Sequence, residues 1–274
     1  IASINILGQV ARKVADYAIL GMDNLGYQAT YGDVGGPFGW FSEYVPLKAA
    51  EWFYKDGRYQ WVIERKRALR ATDALCDFET THKTVEPTDL AHPIAWPLEP
   101  MYHDTFGEEG RPAVEKCVDK VVFRSSFDPK DQYLLLDGLS NGGHRHYDGN
   151  SIVRLTQNGR IWLADCDYIK SLPKFHNGVL IFKDGQSQTI PSYTELEHFA
   201  DFSTSAFSTT TLRNYAGVDW HRHIVWQKEK YFIVIDEMEA KEANRYDFRC
   251  LWRGLGKTNV TNRGLDLEQK DGER

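Results

Sequence analysis

Two histidines two residues apart, His144 and His146, open the segment in which this chain could do chemistry. The run Gly142-Gly143-His144-Arg145-His146-Tyr147-Asp148-Gly149-Asn150 leads into an apolar stretch, a turn at Asn158-Gly159, and the returning Arg160-Ile161-Trp162-Leu163-Ala164-Asp165. Side chains two apart in extended backbone point the same way, so both imidazoles share a face. A hairpin through Asn158-Gly159 brings Asp165 back beside His146, and the entry to the next strand brings His176 to the same place. Imidazoles and a carboxylate converging from separate segments form a divalent-metal set, with zinc as the first expectation and calcium or manganese as alternatives. The HxH pair alone is weak, because histidines also sit satisfied at sheet edges. The expected ligands are His146, Asp165 and His176.

Four further residues are candidates for contact with a substrate. Tyr168 lies near the proposed site as a second catalytic candidate beside His144, and the bland alternative is a structural sheet tyrosine. Arg145 and Asn141 are the substrate-binding candidates, against the alternatives of a solvated arginine and a turn-forming asparagine. Arg124 stands with Arg145 as a group able to meet carboxylates or sulfates. A second HxH pair, His221 and His223, has no carboxylate at matching spacing and reads as sheet. His82, His92 and His103 receive no role.

These side chains need strands to hold them. From Lys116 onward the apolar period is two, with strands expected at residues 121–124, 133–136, 151–155, 160–163, 179–182, 223–226, 231–235 and 248–252. Turn signals separate them and no helical pattern alternates with them, which favours an antiparallel sandwich. The chain's first part is helical. Leu7, Val10, Val14, Ala18 and Gly21 recur at spacings of three and four, and Asn24-Leu25-Gly26 reads as a stop. After the glycine-rich turn at 32–39, a second helix beginning near Pro46 presents Leu47, Ala50, Phe53 and Tyr54 and is broken by Asp56-Gly57. A third runs from about Tyr59 to Cys76, with Val62, Ile63 and Leu69 inward. Half of the ten prolines fall between Glu86 and Pro112, a density that reads as a linker.

Composition narrows the function classes. A chain of 274 residues with net charge -6 and no basic run gives no reason to expect a nucleic-acid binder. No apolar run approaches a membrane span. Cys76, Cys117, Cys166 and Cys250 are scattered with no CxxC, so a cysteine zinc site is not expected and unpaired thiols are. No nucleophile motif, P-loop or GxGxxG following a strand is present. The opening Ile-Ala-Ser-Ile-Asn has no signal-peptide character and reads as mid-helix, so a piece of a longer protein is expected.

Taken in order, Asp119-Lys120-Val121-Val122-Phe123-Arg124-Ser125-Ser126, the His144/His146/Asp148 run, Leu163-Ala164-Asp165 with Tyr168, His176-Asn177, Asp184-Gly185, Trp220-His221-Arg222 and Phe232-Ile233-Val234-Ile235-Asp236 resemble the β-sandwich region of heparinase II/III-like polysaccharide lyases. The resemblance covers roughly residues 117–253. It implies an α+β multidomain chain, with C-terminal helices of an (α/α) toroid over 1–85, a Pro-rich linker over 86–115 and an antiparallel β-sandwich over 116–274. It implies β-elimination on a uronic-acid polysaccharide, with His144 assisting catalysis and His146, Asp165 and His176 holding a metal. A periplasmic or secreted location, no nucleic-acid or membrane partner, and scope for a homodimer follow from the same resemblance.

Two departures stand out. The toroid's catalytic tyrosine and histidine should precede the Gly-Asp turn, yet the residues before it contain no histidine, so the catalytic set in this chain is expected to be incomplete. Asp167 stands where the family has a small residue and reads as a turn former. Two other classes compete. One is a non-catalytic carbohydrate-binding or structural sandwich. The other is a cupin-like metal enzyme, disfavoured because no glutamate follows the HxH pair before Asn158-Gly159.

Overall fold

In the computed structural model, which describes residues 2–33, 36–38, 44–65, 82–100, 111–140, 146–165 and 169–270, three helices near the start of the chain are followed by antiparallel β-structure. Helix α1 (Ala2–Gly21) packs against α2 (Tyr44–Tyr54) and α3 (Gly57–Arg65) through Ala15, Ala18 and Ile19, with Leu47, Ala50, Tyr59 and Val62 facing them. The expected face of α1 holds toward its end, where Ala18 and Gly21 are buried, and fails at its start. Leu7 and Val10 are 64% and 56% exposed, whereas Gly8, Ala15 and Ala18 are buried. The contact stripe is one of small residues, and at Gly8 a β-carbon would come within 3.2 Å of the Tyr54 hydroxyl. Small residues let the helices approach closely; Leu7 and Val10 fall outside the seam, and Ile19 stays within it. Phe53 and Tyr54, also expected inside, are 39% and 37% exposed. Lys55, at φ 52°, ends α2, and the Asp56 carboxylate accepts the Arg58 amide at 3.0 Å to start α3. The continuation of that helix toward Cys76, with Leu69, lies outside the described residues. No described helix is long and apolar enough to cross a membrane.

The strands are β1 (Ile94–Pro97), β2 (Cys117–Arg124), β3 (Tyr133–Asp137), β4 (Ser151–Gln157), β5 (Arg160–Ala164), β6 (Val179–Lys183), β7 (Gln186–Ser187), β8 (Thr194–Asp201), β9 (Ser205–Tyr215), β10 (Val218–Gln227), β11 (Tyr231–Ala240), β12 (Tyr246–Cys250), β13 (Lys257–Thr261) and β14 (Gly264–Glu268). A nine-stranded sheet runs β11-β10-β9-β8-β2-β3-β4-β5, with β1 paired to β2. The proline-rich stretch is therefore more than a connector. It supplies β1, where Pro93 and Pro97 flank a short paired segment, in keeping with proline's tolerance at strand ends.

Every residue of β2 and β3 is buried, because both faces of this part of the sheet are covered. Val121, Phe123, Leu134, Leu136 and Ile152 point to one core, which also takes Trp226 and Ile224 of β10. Val122, Tyr133, Leu135 and Val153 point to the other, capped by Leu20 and Ala29 from the end of α1 and the loop after it. Phe123 meets Trp226 at 6.2 Å and Phe232 at 6.0 Å although their strands are far apart in the sheet order, so the sheet curls back on itself. A second sheet, β12-β6-β7, lays Val179 and Ile181 on Leu212, Tyr215, Val218 and Trp220, which completes a sandwich. Cys117 and Cys250 are free thiols.

Because Phe123 joins two faces of the curl, Phe123→Ala should cost about 3–5 kcal/mol of stability. Urea denaturation checks this, and a loss below about 1 kcal/mol would show that the curl does not depend on that contact.

Candidate metal centre

The proposed ligands gather where β3, β4, β5 and β6 begin or end on one side of the sandwich. The entry to β4 is a tight turn: Ser151 donates its amide to the Asp148 carbonyl at 3.0 Å, with Asn150 in the left-handed region at φ 60°. Gly149 donates to Ser140 Oγ at 2.6 Å, and a β-carbon there would sit on that oxygen at the same distance. The turn buries the Asp148 side chain. Asp165 follows β5 and extends its ladder by donating to the Val153 carbonyl at 2.8 Å. His176 closes a 3-10 turn over Pro173–Phe175 just before β6.

Asp165 and His176 meet directly, with Nδ1 of the imidazole 2.9 and 2.8 Å from the two carboxylate oxygens and Nε2 3.3 Å from the Ser171 carbonyl. The same carbonyl accepts the Tyr147 amide at 2.9 Å, which ties the loop before His176 to the HxH segment. Ligand atoms of Asp148, Asp165 and His176 all lie within 4.8 Å of one another, and all three residues are buried. The His146 ring centroid is 6.0 Å from that of His176, and its Nε2 is 3.4 Å from Asp33 Oδ1. The loop after α1 clasps this group: Gly32 donates its amide to Asp148 Oδ2 at 2.7 Å, and the Thr30 hydroxyl donates to the Asp165 carbonyl.

The charge balance favours a cation. Asp33, Asp148 and Asp165 face two imidazoles, and no salt bridge reaches Asp148 among the described residues. Buried carboxylates are costly unless paired or coordinated. Burial pushes the Asp165 carboxyl above its ordinary range, with His176 opposing. Burial alone would pull His176 down, but the contact with Asp165, aided by Asp148, outweighs it and holds the imidazolium above its ordinary value. The contact between His176 and Asp165 offsets part of the charge that a divalent ion would meet there. Ligand atoms about 2.0–2.2 Å from a tetrahedral ion stand roughly 3.4 Å apart, so small shifts of these side chains would admit one. Two carboxylates and one or two imidazoles suit zinc or manganese in donor type.

Asp148 is the functional residue that sequence reasoning left without a role, although the alternation from His146 placed it on the same side of an extended run. His144, Arg145, Asn141 and Tyr168, and with them Cys166 and Asp167, lie outside the described residues. Beside the site, buried Lys120 bridges Asp119 at 2.6 Å and Asp137 at 2.9 Å, and burial pushes the Asp137 carboxyl up to about 8 against the pull of Lys120. His221 and His223 lie in β10, as expected of sheet residues, but Glu239 and Glu237 on β11 do reach them, at 3.8 and 3.5 Å. A further acidic and histidine group, Asp219, His221 and Glu239, is already neutralised by Arg213 and Lys241, each 2.9 Å from Asp219.

No family model and no curated protein matches this sequence. Solved structures do match its fold. Heparinase III superposes with a TM-score of 0.56 at 13% identity, over 85% of this chain and 34% of its own. The heparan sulfate lyase HepC from Pedobacter heparinus superposes with a TM-score of 0.59 at 13% identity, over 89% of this chain and 35% of its own. The chain thus spans about a third of the length of the structures it matches. At this identity the likeness is one of fold: a heparinase-like, mainly antiparallel β-architecture.

The Asp165–His176 pair has a pH signature. His176 stays protonated above its ordinary 6.5, so its stabilisation is complete below that pH and is lost as pH rises through the higher folded value. In chelator, the melting temperature should fall from about pH 6.5 upward, and more steeply than in Asp165→Asn. With excess zinc the trend reverses, because coordination releases that proton and strengthens with pH. Equal slopes for the two proteins in chelator would remove the pair as the source.

Proposed function

We propose that this chain is part of a polysaccharide lyase that cleaves a uronic-acid-containing polysaccharide by β-elimination. The observation that carries the reading is the buried cluster of Asp148, Asp165 and His176, in which no ion pair reaches Asp148 from the described residues, on a fold shared with heparinase III and a heparan sulfate lyase. The residues present fit a divalent ion: His146, Asp165 and His176 are its proposed ligands, with Asp148 added to the set. When bound, the ion would supply positive charge that fixes the loops around it.

Three tasks define the reaction. The uronate carboxylate is neutralised, so that the C5 proton becomes removable. A base takes that proton, and the electron pair forms the C4–C5 double bond as the C4–O4 bond breaks. An acid then protonates O4. His144 is proposed to assist at the reacting sugar, with Tyr168 beside it and Arg145 and Asn141 holding the anionic substrate. Helices α1 to α3 are read as the last part of a toroid over 1–85, followed by a linker over 86–115 and the sandwich over 116–274. The remaining catalytic groups come from the longer protein. A periplasmic or secreted location and a homodimer belong to the same reading. A non-catalytic carbohydrate-binding sandwich is the outcome if turnover fails.

In the full protein, tested on a panel of uronic polysaccharides by the ultraviolet absorbance of the unsaturated product, His144→Ala should keep its metal and lose at least about 100-fold in turnover. His146→Ala should lower metal content and melting temperature together. Unchanged turnover in the first variant would remove His144 from catalysis, and unchanged metal content in the second would remove His146 from the ligand set.

A further inference from the structure

Arg222, on β10, is fully buried and lies directly opposite Asp236 on β11. Its Nε and one terminal nitrogen donate to the two Asp236 oxygens at 2.8 and 3.1 Å, which neutralises the guanidinium. The other terminal nitrogen leaves the sheet. It donates to the Asn150 carbonyl at 2.8 Å and to the Asn177 carbonyl at 2.9 Å. Asn150 lies two residues after Asp148, and Asn177 immediately follows His176. One guanidinium therefore holds both of the separate backbone segments that deliver Asp148 and His176.

The neighbouring contacts reinforce this junction. Thr210 of β9 donates to Asn150 Oδ1 at 2.6 Å, Asn177 Nδ2 donates to the Ile152 carbonyl at 2.8 Å, and the Ile152 amide donates to the Asn177 carbonyl at 3.2 Å. At Gly178 a β-carbon would stand 3.0 Å from Ser151 Oγ and 3.1 Å from the Trp220 ring, so the two segments pass closely over the sheet. A buried arginine is a costly way to fill space, since an apolar side chain of similar size serves as well or better. Its planar fork, however, can satisfy a carboxylate and two carbonyls at once, which neither lysine nor an apolar residue can do.

We propose that Arg222 is the positioning residue of the metal centre, setting the separation of Asp148 from His176 by clamping the backbone beside each. The inference rests on the metal reading of that site. It also has a consequence independent of metal, because the clamp is made of hydrogen bonds within the chain.

The test compares wild type, Arg222→Gln, Arg222→Lys and Val62→Ala, the last a change in the helical core, which contains none of the clamp residues. Zinc affinity is measured by calorimetric titration of chelator-treated protein, and amide hydrogen exchange is followed without metal. Arg222→Gln should bind zinc about 10–100-fold more weakly. Without metal it should exchange faster at residues 148–152 and 176–178, with β8 unchanged. Val62→Ala should move neither. If Arg222→Gln does not fold, Arg222→Lys keeps the charge opposite Asp236 and should show a smaller loss in the same two readouts. Wild-type affinity in a folded Arg222 variant, or exchange that is unchanged or raised uniformly, overturns the proposal. Absence of zinc binding in wild type defeats the metal reading, while the local exchange change still decides the clamp.

Discussion

Negative charge held out of water is the constraint on which this molecule's site depends. Asp148 and Asp165 are buried within reach of each other, and the groups that meet them are one imidazole, one backbone amide and a short loop. A carboxylate stays ionised in such a place only with positive charge or hydrogen-bond donors beside it. His176 meets Asp165 through its Nδ1. Among the described residues no imidazole or cation is as close to Asp148, which accepts the Gly32 amide. The arrangement is therefore poised for a cation, and the loop after α1 makes that cation a structural matter as well as a chemical one. Through Thr30, Gly32 and Asp33 the helical segment touches Asp165, Asp148 and His146.

The rest of the fold explains how such a site is kept rigid. β2, β3 and β4 are sealed on both faces, by the curl of their own sheet and by the end of α1. The ends of these strands then have little freedom, and the turn at Asp148–Ser151 and the entry to β6 inherit that fixity. Arg222 reaches across from β10 to join them. Buried polar groups of this kind contribute little net stability, but they specify one arrangement of backbone where an apolar filling would allow several.

Much of this was legible in the sequence, for identifiable reasons. Strands written as β-branched and aromatic runs, such as Tyr231–Ile235, and those bounded by turn pairs such as Asn158-Gly159, announce themselves. β8 and β9 do not: Ser205–Tyr215 is rich in Ser and Thr, and it forms a central strand through packing partners that a single sequence does not display. β1 hid among prolines because an edge segment of four residues needs few donors. In α1 the apolar pattern placed Ala18 and Gly21 on the buried side, but at the start of the helix it pointed to Leu7 and Val10, where close helix approach selected Gly8 instead. At the site, the meeting of Asp165 with His176 followed from hairpin geometry. The part played by Asp148 and Asp33 did not, since it depends on a loop from the far end of the chain folding over the turn.

The most direct measurement is a crystal structure of zinc-loaded protein with anomalous data at the zinc edge. The account predicts one strong peak about 2.0–2.2 Å from carboxylate oxygens of Asp148 and Asp165 and from a nitrogen each of His146 and His176. A zinc-loaded crystal with no peak there, and with the Asp165–His176 hydrogen bond still closed beside an unpaired Asp148, would contradict it.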